Sequence, residues 1–303
     1  MEDDRPKVSL GMPVFNGERY IEEALDSLLA QTFEDFEIVV SDNASTDQTE
    51  AISRAYAARD KRVRYSRNEV NLGVIANFNR VFTLGRGDYF KWASADDVCE
   101  PEFLRRTVEA LESDPSVVLA WTWSLGLNAD GEKIPLARTN RLSDIGSEIS
   151  TGSPDPVERF SRLMRNLWWT DPPFYGLMRT STLATTGLHR NHPSNDHFIL
   201  CEMALRGRFA EVPEVLFYNR LHPGAMSAER TRRGIAVLLD DKKRTKKPRL
   251  APVKLARFYL YRLITYLRII QDARLSRAQR RRCRLEVAYA VGRWLRRPGR
   301  GGY

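Results

Sequence analysis

Long apolar runs are missing from this 303-residue chain. Nothing in it approaches the roughly eighteen consecutive apolar residues of an ordinary transmembrane helix. Cysteine is scarce: Cys99, Cys201 and Cys283 lie far apart with no C-x-x-C pair. That excludes a disulfide framework and a cysteine zinc site, and fits a reducing cytosol. Neither a G-x-G-x-x-G dinucleotide fingerprint nor a phosphate-binding G-x-x-x-x-G-K-[ST] loop occurs. G-x-S-x-G is absent too, which weakens a hydrolase reading. The start, MEDDRPKVSL, has no apolar core of a secretory signal.

What is present is a chain of two characters. Hydrophobic residues make up 42% and charged residues 29%, a balance that supports a folded core rather than disorder. The net charge of +9 hides an asymmetry. Residues 242–303 carry 20 basic and 2 acidic residues, or +18, while residues 1–241 carry 28 and 37, or −9. An acidic body is joined to a strongly basic tail.

Strand-like and helical patterns alternate through the first 125 residues. Runs at 7–12, 36–40, 62–66, 88–93 and 117–123 read as strands. Periodic apolar residues (Ile21, Leu25 and Leu28; Val74, Phe78 and Val81; Phe103, Leu104, Val108 and Leu111) mark helices between them. Asn16 is expected to cap the first helix, and Ser45 with Gln48 has capping-box spacing for the second. Such alternation predicts an α/β fold with a doubly wound, mostly parallel sheet and helices on both faces. Ligands in these folds sit beyond the carboxyl ends of the strands, where 13–17, 41–46 and 94–98 fall. Residues 126–155 read as a long polar loop. Beyond it, 158–167 and 196–206 are helical, and 174–178 and 215–219 strand-like.

Four segments carry candidate chemistry. Asp96-Asp97 follows a strand and could hold a hard divalent cation against phosphate oxygens, or simply complement a helix dipole. Asp42 could bond a base or ribose, or form only an Asx turn. Asp196 could be a general base or a helix cap. His222 could ligate a metal or phosphate, or be surface polarity. A zinc site from His189, His192 and His197 lacks a helical H-E-x-x-H frame.

Together these segments resemble one family. VSLGMPVFNGERYIEEALDSLLAQTFEDFEIVVSDNASTDQT, NLGVIANFNRVFTLGRGDYFKWASADD and NDHFILCEMALRGRFAEVPEVLFYNRLHPGAMS resemble, in order, segments of inverting family-two glycosyltransferases with the GT-A fold. The resemblance covers about residues 7–227. It implies a nucleotide-sugar-binding half over 1–125, an acceptor-binding half over 126–227, and a basic extension over 228–303. It also implies a nucleoside-diphospho-sugar donor, most often a UDP-sugar, with Mg²⁺ or Mn²⁺. Carried over by position, Pro13, Phe15 and Asn16 line the donor pocket, Asp42 reads the base, and Asp96 contacts ribose or sugar. Asp97 and His222 attend the metal, and Asp196 is the general base. Three positions depart from the family's habit: Ser94 stands for Asp, Asn195 for Glu and Phe15 for Tyr. The Q-x-x-R-W motif of processive synthases is unmet, since Ala290 precedes Arg293-Trp294 where Gln belongs. One-sugar transfer is therefore expected, in polysaccharide, cell-envelope glycan or glycolipid synthesis.

The aromatic pair Trp168 and Trp169 is a candidate acceptor surface, with core packing as the alternative. The basic tail could meet an anionic membrane at its inner face, pack on the body, or form a homodimer. Nucleic acid is disfavoured, because the acidic body repels polyanions. The rival to an enzyme is a non-catalytic module of this fold that binds a nucleotide-sugar without transferring it.

Overall fold

The computed structural model describes residues 5–134, 151–165, 171–223 and 252–296. Nine strands form one sheet: β1 (Val8–Val14), β2 (Phe36–Asp42), β3 (Val63–Arg67), β4 (Tyr89–Trp92), β5 (Val98–Cys99), β6 (Val117–Leu127), β7 (Lys133–Ile134), β8 (Leu177–Arg179) and β9 (Arg208–Arg220). Their order is β3-β2-β1-β4-β8-β6-β9-β5, with β7 paired to β6. The β3-β2-β1-β4 half is wholly parallel, and β6 runs parallel to β9. Antiparallel β8 joins the two halves.

The period-2 alternation of the strands sorts the core into two layers. Val39, Phe90 and Trp92 point to one face, and Ile38, Val40 and Tyr89 to the other. The second face is covered by α1 (Ile21–Leu29), α2 (Thr49–Arg59) and α4 (Phe103–Glu112). The first is covered by α3 (Val74–Leu84) and α8 (Asn195–Arg206), and α5 (Pro156–Arg165), α9 (Pro252–Asp272) and α10 (Arg277–Arg296) extend the same core as a further layer packed on α8 and on one another. Two short helices, α6 (Asp171–Phe174) and α7 (Thr180–Leu183), flank β8. The doubly wound arrangement and the C-terminal helices are thus as expected.

Several local expectations differ. Asn16 does not cap α1: it adopts φ 52°, and Tyr20 is the N-cap residue. Helix α2 starts at Thr49 after Gln48, with no side-chain cap, because Ser45 is engaged elsewhere. The presumed loop after residue 125 opens as the continuation of β6, followed by a tight turn. There Asn128 Oδ1 accepts from the Asp130 and Glu132 N–H groups, and β7 returns. Around 174, aromatic residues suggested a strand, yet Pro172-Pro173 suits a first helical turn, so α6 precedes β8. β9 is far longer than its sequence signal. Pro213 cannot donate to the ladder, and the register slips there, with Val212 opposite Thr122 but Val215 opposite Trp123.

Candidate active site

Parallel β1 to β4 end along one edge, and their connections meet there. The loops after β1 and β2 are zipped together. Ser45 Oγ accepts from Asn16 N (2.9 Å), Asn16 Oδ1 from Thr46 N (2.8 Å), and Thr49 Oγ1 from Gly17 N (2.8 Å). The side chain of Asn16 is spent on this seam. Pro13 lies in β1 opposite Ser41. Phe15, 48% exposed, stands free at the rim.

Asp42 ends β2 and is 0% exposed. Its Oδ1 accepts from Ser45 N (2.9 Å); its Oδ2 accepts from the Tyr65 hydroxyl (2.7 Å) and Arg67 Nη1 (2.6 Å). Burial works to raise its pKa, but the bonds from Ser45, Tyr65 and Arg67 outweigh it and hold the carboxyl below its ordinary value. Asp42 therefore reaches the surface through Arg67 and the Ser45 turn rather than with its own oxygens. The next loop is fixed by amides: Asn68 Nδ2 donates to Asn43 Oδ1 (2.9 Å) and Asn77 Oδ1 (3.1 Å), and Asn43 Nδ2 to Asn71 Oδ1 (2.8 Å).

After β4, Asp96 and Asp97 part company. Asp96 turns outward: Ser94 Oγ donates to its Oδ1, and its Oδ2 lies 2.9 Å from His222 Nε2. Asp97 turns inward, where its Oδ1 accepts from Arg220 N (2.9 Å) and Asn219 Nδ2 (3.2 Å). Burial, then the charge of Asp96, pushes its pKa well up, against the Arg220 N–H, Lys91 and Asn219. The carboxylate beside His222 is therefore that of Asp96, while Asp97 pins the loop to the end of β9.

Two cations that sequence reasoning missed build this corner. Arg220, nearly fully buried, donates Nε to the Asp96 carbonyl (2.8 Å). It also pairs with Glu23 (2.6 Å) and lies over the Tyr20 ring, which packs on His222 (4.8 Å between centroids). Lys91, buried in β4, donates Nζ to the Tyr175 carbonyl (2.6 Å) and the Trp92 carbonyl (3.2 Å), among the rings of Phe217, Phe103 and Tyr175. Burial lowers its pKa, against Cys99 and Asp97. A lysine inside the apolar run YFKW was a readable signal; Arg220, beside an ordinary strand end, gave none.

Asp196 sits in the first turn of α8. The loop before it is clamped to the carboxyl end of β4. His189 packs edge-on against Trp92 (4.7 Å), exchanges two bonds with Asn79 (2.9 Å each) and touches Asn195 Oδ1 through its Nδ1. The start of α8 thus comes to the same end of the sheet as Asp96. Trp168 and Trp169 lie outside the described residues.

Among the described residues no group of three or more His, Cys, Asp or Glu side chains could hold a metal by itself. One carboxylate and one imidazole in contact are too few for a self-sufficient cage. They suit Mg²⁺ or Mn²⁺, ions that take one or two protein ligands and complete their shell with substrate phosphates and water.

Comparison with known proteins agrees with this fold. The family model described as Glycosyl transferase family 2 matches residues 9–176. An uncharacterized glycosyltransferase of Methanocaldococcus jannaschii is 33% identical over 132 residues, 43% of this chain and 46% of its own length. The alignment thus spans less than half of that relative. Among solved structures, S. aureus TarS 1–349 in complex with UDP-GlcNAc superposes with a TM-score of 0.64 at 20% identity, covering 95% of this chain and 73% of TarS 1–349. A mannosyltransferase from Pyrobaculum calidifontis in complex with GDP-Man and Mn²⁺ gives 0.55 at 18%, covering 96% and 76%. At these identities the likeness is one of fold, and it extends over the C-terminal helices.

Proposed function

The chain belongs to glycosyl transferase family 2, and from that premise we propose that it moves one sugar, with inversion, from a nucleoside-diphospho-sugar to an acceptor hydroxyl. The observation that carries the proposal is the Asp96–His222 pair, held at the carboxyl end of the parallel strands by Ser94 and Arg220. UDP is the proposed nucleotide, in line with the UDP-GlcNAc bound to TarS.

In this reading Phe15 offers its exposed ring to the base, while Arg67, held by Asp42, Glu50 and the Ser45 carbonyl, braces the loop beside it. Asp96 and His222 would hold Mg²⁺ or Mn²⁺ against the diphosphate, an assignment that moves the metal from Asp97 to Asp96. When bound, the ion offsets the negative charge that develops on the departing diphosphate. Asp97, buried and bonded to β9, keeps the 94–97 loop in place. Asp196 takes the proton of the acceptor hydroxyl as that oxygen attacks the anomeric carbon from the side opposite the leaving group. A positioned base is worth roughly 10²–10⁴-fold here. The acceptor is a carbohydrate or lipid-linked hydroxyl, and Trp168 and Trp169 are proposed to line its pocket.

The test is a panel of nucleotide-sugars read by calorimetry and by donor hydrolysis, with and without Mn²⁺. Asp196→Asn should lower transfer roughly 10²–10⁴-fold and spare donor binding, while Asp96→Asn should remove the metal dependence of donor binding. Metal-dependent binding that survives Asp96→Asn and is lost in Asp97→Asn would return the ion to Asp97. Failure of every nucleotide-sugar to bind would overturn the reading as a whole. A donor that binds but is never transferred or hydrolysed would favour the non-catalytic module.

A further inference from the structure

The C-terminal hairpin has apolar residues on its outside as well as its inside. Toward the body, α9 buries Phe258, Tyr266, Ile269 and Ile270, and α10 buries Cys283, Val287 and Ala290. Away from it, Leu260 (55% exposed), Ile264 and Leu267 follow one another at helical spacing along α9, with half-exposed Tyr261 at the edge of the row, exposed Arg257 before them and Arg268 after. On α10, Leu285 (61% exposed) and Tyr289 stand among exposed Arg281, Arg282 and Arg284. The two outer rows adjoin, for Arg284 donates to Gln271 of α9 (3.2 Å). Ten large apolar side chains are exposed among the described residues; six are on this hairpin, and the other four are Phe15, Val70, Leu72 and Val74.

We propose that the outer face of α9 and α10 docks on an anionic lipid bilayer, lying in the interface plane. Three observations select this occupant. Leucine, isoleucine and tyrosine rimmed by arginine form the pattern of an interfacial helix, whose apolar side enters the headgroup boundary while the cations meet lipid phosphates. The charge is complementary: residues 242–303 carry +18, so the segment leading into α9 and the hairpin itself share one sign. No helix among the described residues is long and apolar enough to cross a membrane, so the face lies on the surface rather than spanning it. A second copy seated hairpin to hairpin would instead set these arginines against their own counterparts.

The surface is tied to the candidate site. Tyr261, at the edge of the outer row, stacks on His192 (5.1 Å, 11°), with Phe258 stacked on the same ring (4.5 Å, 22°). His192 belongs to the loop that leads to Asp196. Docking would bring that loop to the lipid surface, where a lipid-linked hydroxyl would be presented. That last step rests on the proposed transfer; the docking does not, and it is measured without donor.

The test is cosedimentation of the full chain with vesicles of phosphatidylcholine mixed with phosphatidylglycerol, or of phosphatidylcholine alone, at low and high salt. Binding is expected to the anionic vesicles, weakened by salt. The triple variant Leu260→Glu/Ile264→Glu/Leu267→Glu, checked for native near-UV dichroism, should bind at least about tenfold more weakly. Arg257→Gln/Arg268→Gln leaves the apolar row intact and should bind more weakly with less salt sensitivity; it serves also if the triple variant misfolds. No binding to anionic vesicles at low salt would overturn the proposal. So would undiminished binding by both folded variants, or a dimer in light scattering that the triple variant dissolves while vesicles bind neither protein.

Discussion

Acidification should destabilise this protein while most of its carboxylates are still ionised, because three histidines are buried in the neutral form. His197 sits between α8 and α9: its Nε2–H donates to the Leu163 carbonyl (3.0 Å), and its Nδ1 accepts from the Tyr266 hydroxyl (2.6 Å). Burial pushes its pKa down to about 3, the Leu163 bond opposing and Arg262 assisting. His192, sandwiched by Phe258 and Tyr261, is pushed to about 3 by burial and Arg262. His189, against Trp92, is pushed to about 4 by burial, with Asn195 opposing. Folded values below the unfolded one mean that the stabilisation is complete above about pH 6.5 and drains away as pH falls toward the folded values. At about pH 5 each histidine has forfeited about 1.5 pH units at 1.36 kcal/mol, or about 2 kcal/mol, and the three together about 6 kcal/mol. Asp97 acts in the opposite sense, since its raised pKa favours the folded state at low pH, and it offsets part of this loss. A whole domain has only about 5–15 kcal/mol to lose. Urea melts between about pH 8 and about pH 5 should therefore show a steep fall in midpoint, and His192→Phe, which keeps the stack, should remove about a third of the slope. A loss below about 2 kcal/mol over that range, or an unchanged slope in His192→Phe, would refute the reasoning.

Other outcomes follow from the same structure. Lys91→Met strips Asp97 of a buried counter-charge and leaves the Tyr175 carbonyl without its donor, so urea melts should show a loss of about 3 kcal/mol. Asp42→Asn weakens the bonds to Arg67 and Tyr65 and should cost about 2 kcal/mol, with a raised donor KM in steady-state kinetics. Asp196→Asn should lower kcat roughly 10²–10⁴-fold with the donor Kd unchanged in calorimetry. Trp168→Ala with Trp169→Ala should raise acceptor KM; an unchanged value would return both rings to plain packing.

The sheet's first half was legible because its signals are local. Apolar runs such as 36–40 and periodic faces such as Ile21, Leu25 and Leu28 are set by burial on a known period. The carboxylates were legible as a class, because Asp42, Asp96 and Asp97 follow strands whose ends a doubly wound sheet must gather. Which of two adjacent aspartates faces outward was not. That choice is made by Arg220 and Asn219, more than a hundred residues away, whose N–H groups claim Asp97. The pairing of β9 with β6 was hidden in the same way, since Pro213 interrupts the pattern and the register slips around it. Asn16 looked like a helix cap because its residue type is right; its side chain went to the neighbouring loop, a contact no single-segment reading contains.

Helix α8 and strand β9 form one continuous lever from Asp196 to His222, bent at Gly207. A methyl at Gly207 would come within 2.8 Å of the Ser116 carbonyl and drive into Val118, so the bend is held shut against β6. The jaws of this caliper are thereby set by the framework. If transfer proceeds as proposed, substrate range would change by trading the loops that line the gap, because the placement of Asp196 and His222 is set by this framework.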